Sequence, residues 1–357
     1  MADHTSTLEV LAERLDRSRM AEVIRRLPDH IEIALSERIP ETPVGPFKRV
    51  FIVAMGGSAL PGDVLKEAFR ESLYVPVTVV RDYSLTLPPD HDCLVIANSF
   101  SGSTEETLSA LKHLPTDFRH VVAVTAGTEL AAVASRRGYP VLRVPIEHEP
   151  PGFQPRSAIA YCVTFFARIL MAAGVMADVT SELAAIARHL RNIEVARDAL
   201  DIALWLRDRI PAVYTDQRYL MSVARVAKIK FNENAKSPAV FNALPELNHN
   251  EMIGFVSRLV KFGILYLSDD ASNPRLSQRF RVMRDVFESE GLDHVEFRAW
   301  QMRGATTAQK VFSAIAFAEH CSYALALLSG HDPTPVDLIE HFKTALASGD
   351  RALKSGD

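Results

Sequence analysis

The amino-acid sequence predicts an α/β protein built from two domains, each with a parallel β-sheet. Its length of 357 residues exceeds what one hydrophobic core usually serves and favours two domains of roughly 150 residues each. Short, continuously apolar segments alternate with helical segments, which is typical of parallel sheets covered on both faces. The alternation occurs twice, on either side of a long helical stretch, so we expect the same architecture twice.

The first series of strands follows two predicted amphipathic helices at the N-terminus. Each strand segment is apolar and leads into a helical segment or a turn. We therefore expect N-terminal helices over residues 1–46 and a first α/β domain over residues 47–154. The predicted strands of that domain span residues 49–55, 75–83, 93–99, 120–126 and 139–145.

A long helical stretch and a second series of strands complete the chain. The segment RSAIAYCVTFFARILMAAG, which begins at Arg156, is apolar nearly all round, so we expect a helix buried between the two halves. We assign the helical stretch to residues 155–208 and a second α/β domain, with a C-terminal helix, to residues 209–347. The predicted strands of the second domain span residues 210–216, 238–244, 261–269 and 294–300.

The composition argues against several classes of partner. A formal net charge of −4 and scattered basic residues give no electrostatic footprint for nucleic acid or a membrane surface. We expect no membrane span, since no apolar run approaches ~20 residues, and the mixed, acidic N-terminus is unlike a signal peptide. The three cysteines have apolar neighbours and no metal-binding or disulfide spacing, which is typical of buried thiols in a reducing compartment. The cytoplasm is therefore the expected location.

The segment NSFSGSTEET carries a high density of hydroxyl groups. Ser99, Ser101, Ser103 and Thr104 fall where a buried strand is expected to end and a helix to begin near Ser103. Ligands of parallel sheets bind at the carboxyl ends of the strands, and the N–H groups at a helix N-terminus attract anions. One serine would be enough to cap the helix. The additional hydroxyls around Gly102 favour a phosphate-binding loop.

A second turn at a strand end supports the same interpretation. After the first predicted strand the chain reads MGGSAL, in which Gly57 permits a close approach and Ser58 offers another hydroxyl. Neither turn contains the Gly-Lys-Ser/Thr of a P-loop or the G-x-G-x-x-G of a dinucleotide-binding motif. Two neighbouring strand ends are thus expected to face one phosphate group.

Five segments, in this order, resemble the bifunctional phosphoglucose/phosphomannose isomerases, a branch of the sugar isomerase (SIS) superfamily. They read MGGSA, NSFSGSTEET, PGFQPRSAIAY, KFNENAKSPA and ELNHNE. The resemblance runs from about residue 50 to 345 and implies two SIS-type αβα sandwich domains in a homodimer. It also implies that glucose 6-phosphate and mannose 6-phosphate are interconverted with fructose 6-phosphate through a cis-enediolate. The phosphate-binding residues that it implies are Gly57, Ser58, Ser99, Ser101 and Thr104.

Two charged residues are candidates for the chemistry at C1 and C2 of the sugar, which needs a base and a nearby positive charge. Glu233 lies late in a predicted helix; on the sequence alone it is equally a base or a solvated glutamate paired with Lys236. The resemblance assigns it the proton transfer. Arg156 begins the apolar helix, where its charge opposes the helix dipole unless an anion lies beside it. This conflict favours a role in stabilising the enediolate.

Two further residues are candidates for opening the sugar ring. His249, in ELNHNE, is predicted at the start of a helix. An imidazole can both give and take a proton, although a lone histidine at a helix start is more often a solvated residue. The resemblance implies that it acts from the partner subunit. Lys343 lies on the C-terminal helix; the resemblance assigns it to ring opening, and the alternative is a surface lysine. Thr334, in DPTPV, is a possible sugar contact without a definite role.

The sequence departs from the family pattern at two positions and contains no histidine motif typical of a metal site. Ala59 replaces a frequent second serine, and Ser157 stands where a small apolar residue is frequent. The twelve histidines form no His-x-His or His-Glu-x-x-His motif, and proton transfer through an enediol requires neither a metal nor a redox cofactor. Two other functions stay open: a sugar-phosphate sensor without catalysis and an isomerase of an amino-sugar phosphate.

Overall fold

The two predicted series of strands form two separate parallel sheets. A computed structural model describes residues 2–86 and 92–354 of the chain. Within these residues one sheet has five strands and the other has four, and neighbouring strands pair in parallel throughout. The prediction of an α/β fold with parallel sheets is confirmed. The boundaries of the domains stay predictions.

The first sheet follows three N-terminal helices, where the sequence predicted two. The additional break falls at Arg26, because Pro28 favours the first turn of a new helix. The helices are α1 (Ala2–Leu15), α2 (Met20–Arg25) and α3 (Leu27–Ser36). The sheet and its helices comprise β1 (Arg49–Val53), α4 (Gly56–Ala68), β2 (Val77–Val80), β3 (Cys93–Asn98), α5 (Glu105–Lys112), β4 (Val121–Thr125), α6 (Thr128–Arg136) and β5 (Val141–Arg143). The strand order is β2-β1-β3-β4-β5.

The central helices and the second sheet occupy the rest of the chain. The central helices are α7 (Ile159–Ala172), α8 (Thr180–Asn192) and α9 (Ala196–Leu206). The second sheet and its helices comprise β6 (Ile210–Asp216), α10 (Arg225–Glu233), β7 (Val240–Leu244), β8 (Phe262–Ser268), α11 (Pro274–Ser289) and β9 (Val295–Gln301). Its strand order is β7-β6-β8-β9. Two long helices follow, α12 (Thr307–Leu328) and α13 (Asp337–Lys354).

One continuous hydrophobic core contains residues from both sheets. Ile96 of the first sheet and Leu265 of the second belong to it, together with most of α7 and α12. The opposite face of the first sheet packs against α5 and α6, and that of the second sheet packs against α11. Because α7 lies in the shared core, it is apolar nearly all round, as the sequence predicted.

Helix α12 corrects the expectation that no apolar segment is long enough to span a membrane. Its 22 residues include a window of mean hydropathy 1.5, which satisfies the length and composition of a membrane helix. However, 89% of that window is buried inside the protein. Two charged residues of α12 also form buried ion pairs, Lys310 with Asp269 and Glu319 with Lys230. Helix α12 is therefore a core helix.

The hydroxyl-rich segment forms a loop, and the following helix begins at Glu105 instead of near Ser103. The hydroxyl oxygen of Ser99 lies 2.7 Å from that of Thr104, and it accepts the N–H of Gly102 at 3.1 Å. These side-chain bonds hold the backbone outside the helix, as serine and threonine often do at turns. The loop is thus internally ordered at the carboxyl end of β3.

Candidate functional site

The two predicted phosphate-binding turns lie side by side. They follow β1 and β3, which are neighbours in the first sheet. The side-chain amide of Asn98 donates to the carbonyl oxygen of Ser58 at 2.7 Å, and the N–H of Phe100 donates to the Ser58 hydroxyl oxygen at 3.1 Å. These hydrogen bonds join the two turns into one surface at the carboxyl edge of the sheet.

The hydroxyl groups of this surface differ in their exposure. Ser58 and Ser99 are 6% and 0% exposed, respectively, and their oxygens bond inside the turns. Ser101 is exposed and Thr104 is half-buried, directly before the N-terminus of α5. The buried hydroxyls therefore shape the turns, and the hydroxyls of Ser101 and Thr104 are the more accessible ones.

Gly57 connects these turns with Arg156. A Cβ atom at position 57 would lie 2.8 Å from the backbone nitrogen of Arg156. Only glycine permits so close an approach of two backbones. Arg156 belongs to a short 3₁₀ helix, Pro155–Ser157, that immediately precedes α7. The predicted phosphate-binding edge of the first sheet therefore touches the backbone of a predicted catalytic residue.

The guanidinium group of Arg156 is buried and makes four hydrogen bonds. The residue is 1% exposed. Its Nε donates to Oδ1 of Asn234 at 2.6 Å, and its Nη1 donates to Oε2 of Glu233 at 3.2 Å. Its Nη2 donates to the carbonyl oxygens of Pro333 and Thr334 at 3.1 and 2.9 Å. One side chain thus joins the end of α10 to the segment that follows α12.

A buried ion pair supports the arginine from behind. Lys230 of α10 is 0% exposed; it donates to Glu319 of α12 and to the backbone carbonyl of Arg156. Asn234 donates to the hydroxyl of Ser322, also on α12, at 3.0 Å. Burial lowers the pKa of both Arg156 and Lys230, and the neighbouring carboxylates oppose this shift. The cations remain tolerable here because each has a carboxylate partner.

Glu233 ends α10 and keeps part of its carboxylate accessible. Its side chain is 25% exposed, while that of Arg156 is 1% exposed. The carboxylate pairs with Arg156, and Lys236 instead donates from Nζ to the backbone carbonyl of Glu233 at 2.8 Å. The alternative of a side-chain pair between Glu233 and Lys236 is not found. The positive charge of Arg156 opposes the dipole of α7, and the carboxylate of Glu233 is the anion that compensates it.

Two buried hydroxyls beside the arginine make no hydrogen bond within the described part of the chain. They are Oγ of Ser157 and Oγ1 of Thr334, and their residues are 4% and 4% exposed. Most buried polar atoms in proteins have a partner. These two hydroxyls are therefore exceptions to that rule among the described residues.

The predicted ring-opening residues do not contact Glu233 in the single chain. His249 ends a 3₁₀ helix, Glu246–His249, instead of starting a helix, and it is exposed on a groove of about 570 Å³. The side chain of Lys343 is 61% exposed and pairs with Glu340 at 2.8 Å. Among the described residues, no hydrogen bond or ion pair joins either residue to Glu233. Of the residues predicted from the sequence, the structure therefore brings Arg156 together with Glu233, Thr334 and the predicted phosphate-binding turns.

Three supporting residues were not predicted from the sequence: Lys230, Asn234 and Glu319. Lys230 lies on α10, and Asn234 directly follows the last residue of that helix in helical conformation, so the two share a face four positions apart. Glu319 is a charged residue within an apolar helix, which is costly unless it is paired. The unfavourable position of Glu319 in an apolar helix was the feature of the sequence that could have indicated a buried ion pair. No cluster of three or more His, Cys, Asp or Glu side chains suited to a metal ion is found in the residues that the structure describes.

Comparison with known proteins identifies the family. Residues 196–346 match the bacterial phospho-glucose isomerase C-terminal SIS domain. The chain is 31% identical over 313 residues to the bifunctional phosphoglucose/phosphomannose isomerase of Caldicellulosiruptor bescii, which covers 84% of this chain and 89% of the relative. The chain belongs to the bifunctional phosphoglucose/phosphomannose isomerase family. The resemblance seen in the sequence is thereby confirmed.

Two further similarities widen this comparison. The D-glucosamine-6-phosphate 4-epimerase of Sulfolobus acidocaldarius is 31% identical over 235 residues, which are 65% of this chain and 72% of that protein. The crystal structure of a hypothetical protein from Thermus thermophilus has a TM-score of 0.67 at 20% identity and covers 97% of this chain and 95% of that chain. The structural similarity concerns the fold alone.

The buried Lys230–Glu319 pair generates a prediction about stability. Lys230→Met leaves Glu319 as a buried carboxylate without its cation, so we expect the free energy of unfolding to fall by about 3–5 kcal/mol. The double variant Lys230→Met/Glu319→Leu removes both charges and should recover most of that loss. Urea denaturation measures both. A double variant no more stable than Lys230→Met would contradict the pairing.

Proposed function

We propose that this protein is an isomerase that interconverts glucose 6-phosphate and mannose 6-phosphate with fructose 6-phosphate. The observation that carries the proposal is the position of Arg156, whose backbone packs against Gly57 and whose guanidinium pairs with Glu233. One arginine side chain therefore separates the anion-binding turns from a carboxylate. A hexose 6-phosphate has a similar separation between its phosphate and C1–C2. Membership of the family supports this class of substrate.

In this proposal the first sheet holds the phosphate group. The hydroxyls of Ser101 and Thr104 and the N–H groups at the start of α5 donate to it. Ser58, Ser99 and Gly57 shape the turns from beneath. Hydroxyl and amide donors suit a group that carries about −1.5 to −2 charges near neutral pH, and they add no fixed charge that would slow product release.

Glu233 and Arg156 carry out the isomerisation. Glu233 removes the proton from C2 of the open-chain aldose, and the electron pair left behind forms the C1=C2 double bond while the carbonyl electrons move onto O1, giving the enediolate. The hydroxyl proton on O2 then passes to O1, and the same carboxyl group returns its proton to C1 as the C2=O bond forms, which gives the ketose. Arg156 stays protonated and stabilises the negative charge on the enediolate oxygen. Because the protein supplies this positive charge, the proposed mechanism needs neither a metal ion nor a redox cofactor.

Ring opening is assigned to Lys343 and to His249 of a second copy in a homodimer. The surroundings of His249 support an interface: Ile253 and Val256, which line the same groove, are 76% and 58% exposed. Exposed apolar patches of this kind mark contacts between proteins. The buried cysteines are consistent with a cytoplasmic enzyme.

A second candidate is an isomerase or epimerase of an amino-sugar phosphate. The similarity to the D-glucosamine-6-phosphate 4-epimerase favours it. It would use the same phosphate turns and differ at the sugar end of the site. A sensor without catalysis is less well supported, because binding alone does not require a desolvated arginine beside a half-exposed glutamate.

The role of Glu233 predicts the behaviour of Glu233→Gln. We expect kcat to fall at least ~100-fold, since the variant lacks the base, while fructose 6-phosphate still binds. A coupled assay measures turnover, and calorimetry measures binding. Glu71→Gln, at an exposed glutamate, is the control and should keep wild-type turnover. Wild-type activity of Glu233→Gln toward both sugars would contradict the assignment.

The substrate assignment predicts the outcome of a panel of assays with a chelator present. We expect turnover of glucose 6-phosphate, mannose 6-phosphate and fructose 6-phosphate, with rates unchanged by the chelator. Glucosamine 6-phosphate is included as the comparison substrate. Turnover of the amino sugar alone would favour the second candidate, and activity lost on chelation and restored by a metal ion would contradict metal independence.

A further inference from the structure

Lys236 has an unfavourable backbone conformation at the end of α10. Its φ is +54°, and among the residues that the structure describes only one other non-glycine residue, Arg19, has a positive φ. The N–H of Ser237 donates to the carbonyl of Phe231, six positions earlier, at 3.1 Å, which closes the turn at the end of α10. A left-handed residue just after a helix is usually glycine. A lysine there is strained, which indicates that its side chain has a use.

The side chain of Lys236 lies among the charges of the proposed site. It is half-buried, and its Nζ donates to the backbone carbonyl of Glu233 at 2.8 Å. Charged groups face it from each neighbouring element: Arg156 before α7, Glu233 on α10, Asp332 after α12 and Asp337 on α13. Desolvation and the charge of Arg156 lower the pKa of Lys236 to about 8, against the opposing effect of the three carboxylates.

We propose that Lys236 is a positioning residue for Glu233 and that its positive charge is required for the carboxylate to act as the base. The inference rests on the proposed function, since it takes Glu233 as the group that transfers the proton. Arg156 is already bonded to Asn234 and to two backbone carbonyls. Lys236 is therefore the nearby cation whose charge can change with pH. Its ammonium group bonds to the end of α10 and adds positive charge beside the Glu233 carboxylate.

Lys236→Gly separates this role from a structural one, because glycine removes the ammonium group and also relieves the strained conformation. We expect its urea midpoint to be no lower than that of the wild type. We expect kcat to fall about tenfold, with KM for fructose 6-phosphate within about twofold. Lys236→Met, which keeps the strained backbone, should show the same loss of kcat. Arg19→Gly relieves the other strained position and is the control, with wild-type kcat.

The dependence of activity on pH gives a second readout. The ammonium group is charged below its pKa and neutral above it, so the wild-type kcat/KM should fall as the pH rises through about 8. Lys236→Arg stays charged and should retain its activity to higher pH. Lys236→Gly should lack this decline.

The outcomes distinguish the inference from the function on which it rests. Wild-type kcat in Lys236→Gly and Lys236→Met, or an unchanged alkaline decline in Lys236→Arg, overturns the role of Lys236 and leaves the proposed function intact. A wild-type protein inactive toward every hexose 6-phosphate overturns both.

Discussion

The contact between the Arg156 guanidinium and the Glu233 carboxylate is the interaction on which the rest of the site depends. Arg156 is almost completely buried, and a buried cation without a carboxylate is costly. Its backbone touches Gly57 at the phosphate turns, whereas its side chain bonds to the end of α10. A single residue therefore links the predicted phosphate-binding edge of the first sheet to a helix of the second. The turns and Glu233 hold their separation because neither can move without disturbing this arginine.

The surrounding architecture makes that arrangement rigid. Both sheets contribute to one continuous core, through which α7 and α12 run, so the two halves share their packing. Behind Arg156, the Lys230–Glu319 pair ties α10 to α12. By contrast, His249 and Lys343 lie on the surface. The residues proposed to act on C1 and C2 are thus held by the fold of one chain, while the proposed ring-opening groups lie apart from them in that chain.

The sequence predicted local features well and missed those that depend on distant residues. Continuous apolar segments indicated all nine strands of the described chain, because burial on both faces leaves a clear local pattern. The start of α5 was wrong, since hydrogen bonds between Ser99 and Thr104 compete with the helix. The Lys230–Glu319 pair joins residues 89 positions apart, and no local pattern links them. The unfavourable charge of Arg156 did point to an anion nearby, and only the structure identified it as Glu233.

The most direct test of the central claim is the exchange of the C1 hydrogen of fructose 6-phosphate with D2O, followed by proton NMR. Arg156→Lys keeps the charge but cannot make the four hydrogen bonds of the guanidinium group, one of which reaches Glu233. We predict measurable exchange by the wild type and a rate at least ~10-fold lower in the variant when it is saturated with substrate. Exchange by Arg156→Lys at the wild-type rate would contradict the claim that the Arg156–Glu233 contact is the interaction on which the site depends.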